Sequence, residues 1–233
     1  MQTSEPVASP AVRTYNKVVL ALSFALYVWA GWYPQPYAAV IVVLGALPWI
    51  AFALARLWPR RFIIRDLGIS GSRIELSSLP VAASIGLLQR AIFDASLVDP
   101  WLILLPGAAG LVVLLACAAW ASEELRDREM LIMYALLLCG YPAGLFALAN
   151  AEFDQGQPRI YEVRVEEKRH TSGRGGSNDH FKVSAWGPRA GGEEVGVSSA
   201  LYGSTKVGDM VCIRDYVGAL GMEWYEVRPR GRC

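Results

Sequence analysis

The sequence predicts an α-helical membrane protein with four transmembrane helices and a small carboxyl-terminal all-β domain of five strands, a barrel or sandwich that is OB-like or SH3-like. Its 233 residues are 54% hydrophobic and only 18% charged, with a mean hydropathy of +0.31. Soluble domains carry about 25% charged residues. Long uncharged runs precede Ala151, whereas short alternating segments and more than half of the charges follow it. The chain therefore has a membrane part and a water-exposed part.

The net charge of +1 and the lack of a basic cluster exclude two classes of protein. An intrinsically disordered chain needs low hydrophobicity and a high net charge. A nucleic-acid-binding surface needs a concentrated patch of Lys and Arg. We therefore predict that the chain has a lipid bilayer as its environment and no nucleic acid as a partner.

Four apolar runs have the length of a membrane-spanning helix, about 20 residues. Aromatic residues near their ends fit the headgroup level, and Pro34 and Pro36 separate the first two runs into a helical hairpin. The runs are Val18–Tyr33, Tyr37–Trp58, Trp101–Ala121 and Met130–Ala151. The predicted organisation is a tail (1–17), a first transmembrane hairpin (18–58), a cytoplasmic or interfacial segment (59–100), a second hairpin (101–151), a linker (152–158) and the β domain (159–233).

A fifth apolar stretch, Leu79–Val98, contains Arg90 and Asp94. Each charge costs about 2.5–3.5 kcal/mol at the centre of a membrane helix, so the stretch predicts an amphipathic helix rather than a span. Its apolar side chains recur at helical spacing at Val81, Ile85, Leu88 and Ile92. This helix lies at the membrane surface or against the bundle, or else packs on the soluble domain.

Lys and Arg residues in short loops predict the orientation, because positively charged flanks stay in the cytoplasm. The tail and the segment Arg56–Asp99 together contain eight of them, whereas the other two loops together contain two. With four spans, both termini are predicted in the cytoplasm. The predicted location is the inner membrane of a bacterium.

Five short alternating segments predict the strands of the β domain. Between the third and the fourth, Gly208 and Asp209 form a tight turn. The segments are Ile160–Lys168, His180–Trp186, Glu194–Ser198, Met210–Asp215 and Glu223–Val227. A further hairpin between Phe62 and Leu76, turning at Gly68–Gly71, is an alternative to a loop there.

Two short motifs in the β domain, Val207-Gly208-Asp209 and Gly218-Ala219-Leu220-Gly221, carry a resemblance. Over roughly the last 75 residues, the chain resembles a small β-rich soluble domain of bacterial inner-membrane proteins of unknown function. The resemblance implies a bacterial membrane protein and transfers no catalytic residue.

The candidate functional residues flank a Gly-rich hairpin tip. Arg169, His170, Arg174 and His180 form a possible interaction or anion-contact loop, with Asp179 beside the second histidine. Structural zinc needs four closely spaced Cys or His ligands, and the chain has no such pattern. We predict no catalytic, cofactor-binding or metal-binding residue.

The four cysteines are predicted to be unbridged. Cys117 and Cys139 fall within the apolar runs, where a thiol packs as a small apolar group. Cys212 and Cys233 fall in the domain predicted to be cytoplasmic, where disulfides are rare.

These patterns predict an accessory, scaffold or regulatory subunit, not an enzyme, whose β domain binds a protein partner. Gly140 and Gly144 form a small-xxx-small pair that favours homo-oligomer contact. One alternative is a channel or transporter lined by Ser23 or Asn150. Another is a membrane-associated enzyme that uses His170, Asp179 and His180.

Overall fold

The computed structural model describes residues 9–65, 72–173, 176–187, 189 and 193–233. The chain divides into two compact units. The first contains Met1–Ala95 and Pro100–Glu152, and the second contains Ser96–Asp99 and Phe153–Cys233. We call them the helical unit and the β unit.

The helical unit contains six α-helices, among the residues described, and a pair of short strands. Three stretches are long and apolar enough to cross a membrane, namely Tyr37–Leu57, Pro100–Ala121 and Arg128–Glu152. They coincide with three of the four predicted spans, and α1 covers the other. The helices are α1 (Pro10–Trp32), α2 (Tyr37–Leu57), α3 (Ser78–Asp94), α4 (Leu104–Ala121), α5 (Arg128–Leu138) and α6 (Gly140–Glu152), and the strands are β1 (Phe62–Ile63) and β2 (Ile74–Glu75).

Local sequence signals determine where the helices begin. The Ser9 hydroxyl accepts a hydrogen bond from the Val12 N–H, and Pro10 occupies the first helical position of α1. Asp127 caps α5 by accepting hydrogen bonds from two backbone N–H groups. Side-chain capping satisfies amide groups that have no partner within the helix.

Helix α3 runs parallel to α1 through the helical unit. The hydroxyls of Ser23 and Ser78 lie 2.9 Å apart, and further along both helices a Cβ on Gly86 would lie 3.3 Å from that of Ala30. At its end, Asp94 accepts a hydrogen bond from Tyr37, at the start of α2. We call the end of the bundle where α1 begins the near end and the opposite end the far end.

Hydrogen bonds at the near end establish the direction of the other helices. Ser122, just after α4, donates to the Ile64 carbonyl at 2.8 Å. Glu124 accepts from Arg73 at 2.9 Å, and α5 begins at Arg128. Helix α4 therefore runs from the far end to the near end, and α5 and α6 return, so that Glu152 lies at the far end.

The face of α3 that contacts the bundle differs from the one the periodicity indicates. Ile85, Leu88 and Ile92 are exposed, whereas small residues such as Ala83 and Gly86 are buried. Of the predicted stretch Leu79–Val98, the part within α3 packs against α1 and α6 of the helical unit, whereas Val98 packs against the core of the β unit. Periodicity identifies an apolar stripe but not the medium that it faces.

Gly140 and Gly144 contact α3 of the same chain. A Cβ on Gly144 would lie 2.6 Å from the Leu87 backbone, and one on Gly140 would lie 2.7 Å from the Leu88 side chain. The homo-oligomer contact predicted through these glycines is therefore not available, because the pair packs two helices together within the chain.

The strands β1 and β2 pair in parallel, with Phe62 opposite Ile74. The predicted antiparallel hairpin beside the β domain is wrong, because this pair forms a separate sheet within the helical unit. Its predicted turn at Gly68–Gly71 lies outside the described residues.

The β unit is one curled antiparallel sheet, a half-barrel, with the strand order β5-β4-β3-β6-β7. All five predicted strands are confirmed. Buried aliphatic and aromatic side chains, including Val165, Phe181 and Ile213, fill its core. The strands are β3 (Arg159–Gly173), β4 (Gly176–Val183), β5 (Glu193–Val197), β6 (Met210–Tyr216) and β7 (Trp224–Pro229), and a short helix α7 (Ser199–Ser204) precedes β6.

Cys212 and Cys233 form a disulfide with a Cα–Cα distance of 5.7 Å. The prediction that they are unbridged is therefore wrong. Strand pairing places Cys212 opposite Arg228 on β7, and the chain returns toward β6 after Pro229. The sequence spacing of 21 residues did not reveal this approach because it results from the register of β6 and β7.

Candidate functional site

The β3–β4 hairpin brings most of the predicted loop residues together. Arg169 is opposite His180, and His170 is opposite Asp179. Arg174 lies outside the described residues. The alternation of the two strands places neighbouring residues on opposite faces of the sheet, so Arg169 and His180 lie on the face opposite to His170 and Asp179.

Arg169 is held by two carboxylates. Its guanidinium lies 3.0 Å from Glu167 Oε1 and 2.5 Å from Glu194 Oε1. Two opposed negative charges leave no excess positive charge for an incoming anion. The ion pairs argue against the predicted anion contact at this residue.

The second cross-strand pair, His170 and Asp179, forms a polar cluster with α7. His170 Nδ1 lies 2.7 Å from Asp179 Oδ1. Hydrogen bonds from His170 and from the Ser199 side chain lower the pKa of Asp179, whose side chain is buried. Since Ser199 interacts with the carboxylate rather than with the imidazole, this arrangement differs from a nucleophile activated by a histidine base.

Lys168 and Tyr202 border this cluster, and the sequence pattern did not reveal them. The Lys168 ammonium lies 4.2 Å from the centroid of the Tyr202 ring and donates to the carbonyls of Tyr202 and Thr205. The signal for α7 was available, because Ser198 caps it by accepting from the Leu201 N–H. The approach of Lys168 depends on the fold of α7 over β3 and β4.

A second cluster contains buried polar atoms without hydrogen bonds. Among the described residues, Trp186 Nε1 and Asp215 Oδ1 have no partner. Burial and the neighbouring Glu223 raise the pKa of Asp215, although Arg159 and Arg189 oppose that shift. This carboxylate is therefore poorly stabilised in its ionised form.

The two edges of the half-barrel differ in what covers them. Beside the start of β7, the Val98 N–H donates to the Glu223 carbonyl at 2.8 Å, and the Tyr225 N–H donates to the Ser96 carbonyl at 2.9 Å. The segment Ser96–Asp99 is thus an added extended segment at that edge. Strand β5 is the opposite edge and pairs only with β4 among the described strands.

No known family matches. Comparisons with family models, with curated proteins and with solved structures found no match to this chain. The resemblance to the soluble domain of bacterial inner-membrane proteins therefore remains a prediction, and the geometry alone supports a function.

The polar residues considered for a channel are part of the packing. Ser23 donates to the Val19 carbonyl and contacts Ser78, and Asn150 is fully buried. The described residues contain no group of three or more His, Cys, Asp or Glu side chains suited to a metal ion. The sheet edge at β5 and the hairpin beside it are therefore the candidate site considered below.

Proposed function

We propose that this protein is a membrane-anchored binding subunit whose β unit recognises an extended segment of a protein partner at the edge of β5. The observation that carries the proposal is the contrast between the two sheet edges. An edge strand presents unpaired N–H and C=O groups that an added strand can bind. Ser96–Asp99 occupies such a position at β7, whereas β5 pairs as a strand only with β4 among the described strands, and the Tyr225 side chain of β7 contacts its backbone only at Gly196 among the contacts described.

We further propose that the two termini lie on opposite sides of a bacterial inner membrane, rather than both in the cytoplasm. The support is the parallel course of α1 and α3, because α3 would make a fifth pass if both helices cross the bilayer together with the other three predicted spans. Arg90 and Asp94 do not prevent this, because they pair with each other near the carboxyl-terminal end of α3 and not at its centre.

The distribution of basic residues supports the near end as the cytoplasmic one. Nine of them belong to segments that begin or end there, and Arg90 lies toward the far end. The nine are Arg13, Lys17, Arg56, Arg60, Arg61, Arg65, Arg73, Arg126 and Arg128. The chain enters the β unit after Ala95 and again after Glu152, and the helices that precede these points end at the far end, which supports a β unit outside the cytoplasm.

The disulfide agrees with that assignment. Disulfides persist in oxidising compartments and are rare in the cytosol. A half-barrel that carries the Cys212–Cys233 bridge is therefore better suited to the periplasmic face.

Thiol labelling in intact cells tests the sidedness. A membrane-impermeant maleimide should label a cysteine introduced by Glu226→Cys, in a chain without native cysteines, before lysis. The same reagent should label Arg60→Cys only after the membrane is permeabilised. Labelling of both positions only after permeabilisation would contradict the proposal. It would favour the original prediction that the β unit lies in the cytoplasm.

Site-specific photo-crosslinking tests the partner edge. A photoreactive residue at Glu194, exposed on β5, should yield a defined adduct in native membranes. The matched control is Ile160, exposed on the central strand β3, where no such adduct should form. Equal adducts at both positions, or none at Glu194, would contradict recognition at this edge.

The His170–Asp179 pair favours a second candidate function, acid–base catalysis at the hairpin. A carboxylate on Nδ1 orients an imidazole for proton transfer at its other nitrogen. If this candidate is right, cells that carry Asp179→Asn should show the same loss-of-function phenotype as cells in which the gene is deleted. A normal phenotype from a stable His170→Ala protein would remove this candidate.

A further inference from the structure

A cavity of about 280 Å³ opens at the near end of the helical unit. Its lining comes from the end of α2, the end of α4 and the segments that follow them. Four charged side chains contribute, together with Trp120 and Ser122. The charged residues are Arg56, Arg73, Glu123 and Glu124.

The cavity lies at the boundary between apolar helices and polar loops. Arg56 is in the last turn of the membrane-length helix Tyr37–Leu57. Trp120 is next to the end of the membrane-length stretch Pro100–Ala121, and its side chain is exposed. Tryptophan and arginine at the ends of transmembrane helices mark the level of the lipid headgroups.

The charged side chains that line the cavity differ in their contact partners. Arg73 lies 2.9 Å from Glu124, so that pair is neutral. The Arg56 guanidinium carbon instead lies 5.0 Å from the centroid of the Trp120 ring. Arg56 and the exposed Glu123 thus contribute one positive and one negative charge beyond that pair.

We propose that this cavity binds the headgroup of a zwitterionic aminophospholipid. The phosphate would bind to Arg56 beside Trp120, and the ammonium group would face Glu123. Arginine binds phosphate oxygens through its planar set of donors. Because the lining is balanced in charge, a headgroup that carries both signs matches it better than an anionic one.

Thermal unfolding of the full-length protein in detergent tests the site. Dihexanoyl phosphatidylethanolamine should raise the melting temperature in a saturable manner, with at least a tenfold weaker apparent affinity for Arg56→Gln. The matched control Arg60→Gln changes a basic residue that does not line the cavity and should respond as the original chain does. An unaltered response of Arg56→Gln would overturn the proposal.

The same melting measurement with other lipids and phosphate compounds identifies the class of ligand. Dihexanoyl phosphatidylglycerol should bind more weakly than the aminophospholipid, and Glu123→Gln should remove that preference. Equal stabilisation by the two lipids in the original chain would overturn the zwitterionic assignment. Equal stabilisation by free phosphoethanolamine or inorganic phosphate would assign the cavity to a soluble phosphate compound instead. If Arg56→Gln does not fold, Trp120→Leu must show the same loss of affinity for the proposal to stand.

Discussion

The two units each bury a core of large apolar side chains but differ in how many such side chains they also expose. The helical unit exposes large side chains, with Leu105 at 81% and Leu136 at 73%, and it buries glycine and alanine at helix contacts. The β unit buries large side chains such as Phe181 and Val165. Its strands carry ion pairs on their exposed surface, for example between Arg169 and Glu194. The difference is the one expected between a unit in lipid and a unit in water, because large apolar side chains need to avoid water but not lipid.

The largest expected effect concerns the core of the β unit. Phe181 is fully buried and stacks on Tyr202 with their ring centroids 5.8 Å apart. Phe181→Ala should reduce the free energy of unfolding by about 3–5 kcal/mol, measured by denaturation of the full chain. Phe153→Ala, at an exposed position, is the control and should have a much smaller effect.

The same acidic substitution at two similarly exposed positions, one in each unit, compares the surroundings of the helical unit with those of the β unit. Val113 in α4 and Ile160 in β3 are 54% and 50% exposed. Val113→Asp should cost about 2.5–3.5 kcal/mol, as a charge does in a membrane helix, whereas Ile160→Asp should change stability by about 0.5 kcal/mol or less. The amount of folded protein in the membrane fraction measures both. Similar yields would contradict the assignment of α4 to lipid.

Glycine substitution tests the close packing within the helical unit. Gly144→Ala places a Cβ against the Leu87 backbone, which cannot move away as a flexible side chain can. The expected cost is about 1–3 kcal/mol. Gly203→Ala in α7 meets no atom within 4 Å and should be neutral or slightly stabilising. Melting temperatures in detergent provide the comparison, and equal values for both variants would refute the predicted contact.

The smallest expected effects come from two buried aspartates in the β unit with opposite pKa shifts. The lowered pKa of Asp179 contributes stability above its unfolded pKa, about 3.9, which is lost as the pH falls through the folded value. Asp179→Asn should therefore lower the melting temperature at pH 7, with the difference shrinking in acid.

The pKa shift of Asp215 has the opposite sign to that of Asp179. Its pKa is raised, so the favourable contribution is fully present below about pH 3.9 and is lost as the pH rises through the folded value. Asp215→Asn should raise the melting temperature at pH 7 and have less effect in acid. A lower melting temperature at pH 7 would show that the ion pair with Arg159 outweighs the burial of the charge.

Much of the β unit could be predicted because short-range signals determine its elements. Alternation located all five strands, and Gly208 adopts the positive φ of 93° expected for the turn before β6. The candidate site was less predictable. Pairing of His170 with Asp179 follows from the hairpin register, whereas the approach of Ser199 and Lys168 depends on α7 lying near strands far away in sequence.

The sequence by itself determined which parts of this protein are helical or extended and which are apolar, because periodicity and chain-breaking residues act over a few positions. Only the tertiary structure decided which face of α3 is buried, which residues the glycines of α6 contact and that Cys212 meets Cys233. Those outcomes depend on contacts between distant segments. Arg90 is one example, since only the folded chain shows that it pairs with Asp94 near the end of α3.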